Sequence, residues 1–145
     1  MTTKLTADSQ LFKGNSLKDQ IKLLTTDLLY PSESDEKITY FEMELFPIEN
    51  FSISDFRMFN GISSYITIQE IDFDKFFAPM IKIEDWYGED EKKWAIDSLK
   101  LKVLLSEKLK DIKILKVGKM EIDVYLFGKE AESKWSGLKT KVIET

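Results

Sequence analysis

The chain of 145 residues contains no cysteine and no histidine. Without Cys there is no disulfide, no thiolate nucleophile and no Cys-ligated zinc, and without His the commonest general base and metal ligand is missing. Most familiar hydrolytic sites are therefore unavailable, and the expectation is a protein that is not an enzyme and carries no cofactor. Lack of Cys is compatible with either redox compartment. A basic excess is also lacking: 26 acidic residues face 21 basic ones, for a net charge of -5. A duplex-binding protein needs a basic face to neutralise phosphates, so no direct nucleic-acid binding is expected. An acidic chain suits a basic protein partner, although a modest negative charge also keeps soluble proteins apart. No stretch approaches the ~18 consecutive apolar residues of a membrane span, and Met1 to Lys13 has no signal-peptide pattern. A cytoplasmic protein without membrane contact is expected.

What is present is ordinary globular material. Hydrophobic residues make up 43% of the chain, with 10 Phe, 5 Tyr and 3 Trp for core and interface, and this length buries roughly two-thirds of the unfolded surface without staples. Residues 1–15 are polar apart from Leu11 and Phe12 and read as a loosely ordered arm; residues 16–145 read as a single domain. Ser16 is placed to cap a helix marked by Leu17, Ile21, Leu24 and Leu28, which is expected to end near Tyr30 because Pro31 disfavours helix before it. Pro31 to Glu36 is a polar turn exposing Glu33 and Asp35. Ile38 to Leu45 alternates as a half-buried strand. Pro47 to Gly61 has no clean period and reads as a loop with a helical turn near Ser54. Tyr65 to Ile71 reads as a strand, and Asp72 as the cap of a short helix that Pro79 ends. The acidic run Glu84 to Glu91 leads into the longest helical pattern, where Ile96, Leu99 and Val103 mark a stripe that Leu101, Leu104, Leu105 and Leu109 widen. Ile112 to Val117 is a short strand, and Gly118-Lys119 a tight turn.

The last stretch carries the clearest pattern. Ile122, Val124 and Leu126 alternate with Glu121, Asp123, Tyr125 and Phe127, the period of two that divides a strand between the faces of a sheet. After a loop from Lys129 to Ser136, Leu138, Thr140 and Val142 take one face of a final strand, with Lys139, Lys141 and Ile143 on the other. Such a strand would hold Glu144, Thr145 and a terminal carboxylate in a defined place, where most termini fray. The expected fold class is α+β: an α/β/α sandwich with an antiparallel-rich mixed sheet.

Leu28-Leu-Tyr-Pro-Ser-Glu-Ser-Asp, Asp85-Trp-Tyr-Gly-Glu-Asp-Glu, Val117-Gly-Lys-Met-Glu-Ile-Asp-Val-Tyr and Gly137-Leu-Lys-Thr-Lys-Val-Ile-Glu-Thr, in this order and spacing, resemble the nuclease A inhibitor family of bacteria. The likeness spans about Leu17 to Thr145 and is weakest from Phe46 to Tyr65; the set is specific where each motif alone is not. It implies a sandwich similar to the pathogenesis-related-protein fold, and a monomer that binds and blocks a sugar-nonspecific, magnesium-dependent nuclease. The resemblance carries three residues over. Thr145 would enter the nuclease active site and reach its magnesium, Glu33 would meet an active-site Arg, and Trp86 would pack at the interface. An acidic chain offering oxygen ligands to a hard cation that expects phosphate agrees with this. Glu84 stands where the family tends to carry Gln and is a fourth partner-binding candidate. Trp135 has no recognised family counterpart.

Each residue also has a plainer reading. Glu33 fits a solvated surface carboxylate, Thr145 a frayed end, and Trp86 a core ring at the base of the long helix, with Tyr87 leaning towards core. The acidic set around Asp85 could hold a metal, but Lys92 and Lys93 follow it, which favours a charged helix start. Two alternatives from other classes stand beside the inhibitor: a related protein-binding module with a different target, and a carboxylate-based hydrolase using Glu121 and Asp123, which share a strand face.

Overall fold

A five-stranded sheet forms the centre of the computed structural model, which describes residues 16–45 and 51–144. The N-terminal arm expected over residues 1–15, the residues 46–50 and Thr145 lie outside the described residues. The elements in chain order are α1 (Leu17–Thr25), β1 (Leu29–Tyr30), β2 (Glu36–Lys37), β3 (Thr39–Glu44), α2 (Ile53–Asn60), β4 (Ile68–Glu70), α3 (Phe73–Ile81), α4 (Glu89–Lys108), β5 (Lys110–Val117), β6 (Glu121–Lys129) and β7 (Lys134–Ile143). The main sheet has the order β3-β7-β6-β5-β4 and every neighbouring pair is antiparallel; β1 and β2 form a separate antiparallel hairpin. The expected α+β class is the one observed, with the sheet wholly antiparallel where a mixed one was anticipated.

Alternation along the central strands divides the interior in two, because successive side chains point to opposite faces. Ile122, Val124 and Leu126 of β6 join Leu138 and Val142 of β7 under α1, α3 and α4, packing on Ile21, Phe76, Phe77, Met80, Leu101 and Leu105. Tyr125 and Phe127 of β6 point the other way into a smaller core with Met43, Leu115, Trp135 and Phe56 of α2. Here Phe56 stacks on Phe127 at 5.3 Å and meets Tyr125 edge-on at 5.0 Å. Among the described residues, three helices thus cover one face and one short helix the other.

Caps and turns set the element ends. Ser16 Oγ accepts from the Asp19 amide at 3.1 Å, as expected. α1 nevertheless stops at Thr25, short of Tyr30: Thr25 and Thr26 hydroxyls donate back to the carbonyls of Ile21 and Lys22, a competing local bond, and the chain turns into β1. Residues 53–60, expected as a loop with one helical turn, form a full helix whose Ser52 cap accepts from the Asp55 amide. Its period was blurred because Met58 is 81% and Phe59 51% exposed, leaving only Phe56 buried. Asp72 caps α3 as expected, accepting from Lys75, but α3 runs through Pro79 to Ile81. Pro79 and Lys75 lie on the solvent side while Met80 is buried beyond them, so packing holds the last turn despite the lost amide donor. Along α4 the buried positions are Ala95, Ser98, Leu101, Leu104 and Leu105, whereas Leu99 is exposed. The small residues Ala95 and Ser98 hid that stripe from a reading based on large apolar side chains.

The loop expected up to Ser136 is shorter than that. β7 begins at Lys134, and Trp135, Ser136 and Gly137 are buried within it. Gly137 sits opposite Phe127 on one side and Phe41 on the other, and a Cβ there would overlap the Leu126 carbonyl oxygen. Only glycine allows so close an approach in the middle of the sheet.

Candidate functional site

The Pro31 to Asp35 turn is the loop of the β1-β2 hairpin, and its own hydroxyls hold its shape. Ser32 Oγ donates to the Ser34 carbonyl at 2.6 Å and accepts from the Ser34 amide at 3.3 Å, while the Ser34 hydroxyl donates to the Glu36 carboxylate. Glu33 stands exposed at the tip. Two bonds tie this hairpin to β7: the Ile143 amide donates to Ser32 Oγ at 3.2 Å, and Thr140 Oγ1 donates to the Lys37 carbonyl at 2.8 Å.

Just past β7, the Glu144 amide donates to the Met120 carbonyl at 2.9 Å, and its carboxylate lies 2.8 Å from Lys116 Nζ. Glu33 and Glu144 consequently line the same cleft of about 450 Å³, whose apolar floor includes Tyr30, Ile71, Phe76, Val124 and Val142. Tyr30 donates its hydroxyl to the Phe76 carbonyl at 2.7 Å. Burial first, and the Glu144 carboxylate second, push its pKa up to about 12. The phenol is a neutral wall of the cleft at ordinary pH.

Glu84 and Trp86 lie in the turn between α3 and α4 and are not among the residues lining that cleft. Trp86 is 73% exposed and packs edge-on against half-buried Tyr87 at 4.7 Å. Its ring is not the core anchor that the plainer reading allowed. Glu84 is partly exposed and pairs with Lys82 at 3.3 Å. The acidic residues after it serve the start of α4: Glu91 accepts from the Gly88 amide at 3.0 Å, and Glu89, Asp90 and Glu91 fill the first turn, where carboxylates complement the helix dipole. Among the described residues no group of three or more carboxylates could hold a metal ion. Farther along α4, Trp94 donates its indole N–H to the Leu29 carbonyl at 3.1 Å, tying that helix to the hairpin strand β1.

Thr145 is outside the described residues, but Glu144 before it is held at the mouth of the cleft beside the Glu33 turn. A family model for nuclease A inhibitor-like proteins matches residues 15–145. The chain belongs to the nuclease A inhibitor-like family. A comparison with curated proteins finds no match.

In this nuclease A inhibitor-like chain the matched span includes Glu33, Glu84, Trp86 and Thr145. Trp135, singled out for lacking a family counterpart, is 2% exposed against Phe127 at 5.7 Å and Phe51 at 5.6 Å, so it belongs to the smaller core. Glu121, one of the two carboxylates of the hydrolase reading, is exposed 3.9 Å from Lys141, and Asp123 stands opposite Lys141 in the ladder. At this end of β6 both carboxylates lie beside Lys141, and the same face then turns into the smaller core at Tyr125 and Phe127. Ser32 and Lys116 were not anticipated as site residues, whereas Glu144 was expected to be held beyond the last strand. Ser32 sits inside the Ser-Glu-Ser turn that drew attention to Glu33, so its position was visible; Lys116 gave no sign, since it meets Glu144 only through sheet pairing. No helix among the described residues is long and apolar enough to cross a membrane.

Proposed function

We propose that this protein binds and blocks a sugar-nonspecific, magnesium-dependent nuclease, with the residues that follow β7 entering the active site. The observation that carries the reading is the shared cleft of the Glu33 turn and the Glu144 backbone, joined by the bond from the Ile143 amide to Ser32 Oγ in a chain of this family. Glu33 meets an active-site Arg, and Trp86 packs on the nuclease as an exposed aromatic anchor, the residue class that dominates interface energetics. Glu84 reaches a basic group nearby. Thr145 presents oxygen atoms to the nuclease's magnesium, a hard cation that takes oxygen ligands. The inhibitor mimics a substrate that cannot be cleaved. It acts as a cytoplasmic monomer, folds over residues 16–145 as one domain, needs no cofactor and does not contact nucleic acid.

The test is digestion of duplex DNA in magnesium by a sugar-nonspecific bacterial nuclease, with and without the protein. Inhibition is expected, and it should be lost when an affinity tag follows Thr145 but kept when the tag precedes Met1. Full potency of the form tagged after Thr145 would remove the insertion mode. No effect of the untagged protein on such nucleases would favour a binding module with a different target.

A further inference from the structure

β7 is flanked unequally along its length. β6 pairs with it throughout, from Lys129 opposite Trp135 to Glu121 opposite Ile143, whereas β3 accompanies it only from Lys134 to Lys139. From Thr140 onward the outer edge of β7 has left its neighbour in the sheet. The Glu144 amide points inward and bonds the Met120 carbonyl of the β5-β6 turn. The Ile143 amide, one residue earlier, points outward by the alternation of strand donors, where β3 would have supplied a carbonyl. Ser32 Oγ is the acceptor it finds instead. This hydroxyl is fully committed: it donates once, to the Ser34 carbonyl, and accepts twice, from the Ser34 and Ile143 amides, which uses its one proton and both lone pairs. One atom therefore shapes the turn that carries Glu33 and also replaces the missing strand at the end of β7. On the far side of the cleft Lys116 holds the Glu144 carboxylate at 2.8 Å, with only 19% of the lysine side chain exposed.

We infer that Ser32 and Lys116 are positioning residues that fix the distance and angle between the Glu33 turn and the segment following β7, so that both reach the nuclease together. The inference rests on the function proposed above. Neither residue touches the nuclease in this scheme. They act by removing, before binding, the freedom that the segment after Ile143 would otherwise lose on entering the active site. Ser32 couples the two contact elements directly, and Lys116 orients the segment at its base.

The test is made on the full chain carrying Ser32→Ala, Ser32→Thr or Lys116→Met, with two readouts. Hydrogen exchange reports the Ile143 amide without any nuclease. It should exchange at least about tenfold faster in Ser32→Ala, the scale of one lost hydrogen bond, and return to the wild-type rate in Ser32→Thr, which keeps the hydroxyl. Inhibition of duplex-DNA digestion should weaken about tenfold in Ser32→Ala and several-fold in Lys116→Met. The hydroxyl should again restore it in Ser32→Thr, while the thermal midpoint of all three variants stays near wild type. An Ile143 amide protected equally in Ser32→Ala, or an accelerated one accompanied by full inhibition, overturns the inference. So does a loss of inhibition that Ser32→Thr fails to recover. Failure of the functional reading looks different: the wild-type protein then blocks no nuclease, or blocks it equally with a tag after Thr145. The exchange readout still judges the clamp on β7, but the link to inhibition is overturned.

Discussion

Glu33 and Trp86 are both exposed, for different reasons. Glu33 is carried out by a turn in which Ser32 bonds the Ser34 backbone and Ser34 the Glu36 carboxylate, while Trp86 sits in the short connection before Gly88, where neither core receives it. Burial decides what each substitution costs. Truncating a buried Trp costs about 3–5 kcal/mol of stability, but a ring 73% exposed cannot repeat that loss. Trp86→Ala is expected to leave urea unfolding within about 0.5 kcal/mol of wild type and to weaken nuclease binding by about 2 kcal/mol or more. Glu33→Ala is expected to weaken binding by about 2–5 kcal/mol, because an Arg in the partner would stay buried without its counter-charge. Titration calorimetry beside urea unfolding reads both. A destabilised Trp86→Ala protein with intact affinity, or unchanged affinity of Glu33→Ala, would take that residue out of the interface.

The element that carries the site is β7, and its middle is where it is least tolerant. Trp135 fills the smaller core, Leu138 and Val142 the larger, and Gly137 between them lets the β6 backbone come close. A methyl group at Gly137 meets the Leu126 carbonyl oxygen and the Phe127 Cα, which are backbone atoms that cannot rotate aside. Gly137→Ala is therefore expected to cost about 1–3 kcal/mol or more, the range for overpacking, and to loosen the β6-β7 pairing on which the position of Glu144 depends. Urea unfolding measures the first, and amide exchange along β6 the second. Gly128→Ala should also be felt, since its Cβ would crowd Leu109 and Ile112, but this site is at the other end of β6 and leaves the cleft alone.

Across the whole molecule, two tyrosines tie the sheet and hairpin to their surroundings and titrate late. Burial, first of all, pushes Tyr30 and Tyr40 from the ordinary value of 10.0 up to about 12. Glu144 adds to the rise at Tyr30; at Tyr40 Glu42 adds to it and the hydrogen bond with Ser136 works against it. A folded state that keeps these protons when the unfolded chain has released them binds more protons, so stability falls as pH rises. The contribution is fully present below pH 10 and is lost through about pH 12. Urea midpoints followed by Trp fluorescence are expected to fall across that interval, and to fall less steeply in a Tyr30→Phe, Tyr40→Phe variant. Equal slopes for the two proteins would contradict this account.

Short-range signals were legible in the sequence: the alternation of Ile122, Val124 and Leu126, the caps at Ser16 and Asp72, the turn around Glu33, and the motif set that resembles the family. Each depends on neighbours a few residues apart, where backbone geometry alone decides which side chains share a face or reach an amide. The places where reading by residue type failed were those where packing outweighed local preference, as when Met80 holds α3 together past Pro79 or Ala95 and Ser98 form the buried stripe of α4. Tertiary structure alone decided that Trp135 is core and Trp86 is surface, since both are aromatic residues in polar segments and differ only in what lies over them. It alone joined Ser32 to Ile143, 111 residues away, and Lys116 to Glu144. Those contacts follow from the register of β7 and the point at which β3 leaves its edge, which are set by the fit of the two cores on either side of the sheet and by no local pattern around residue 32 or residue 116.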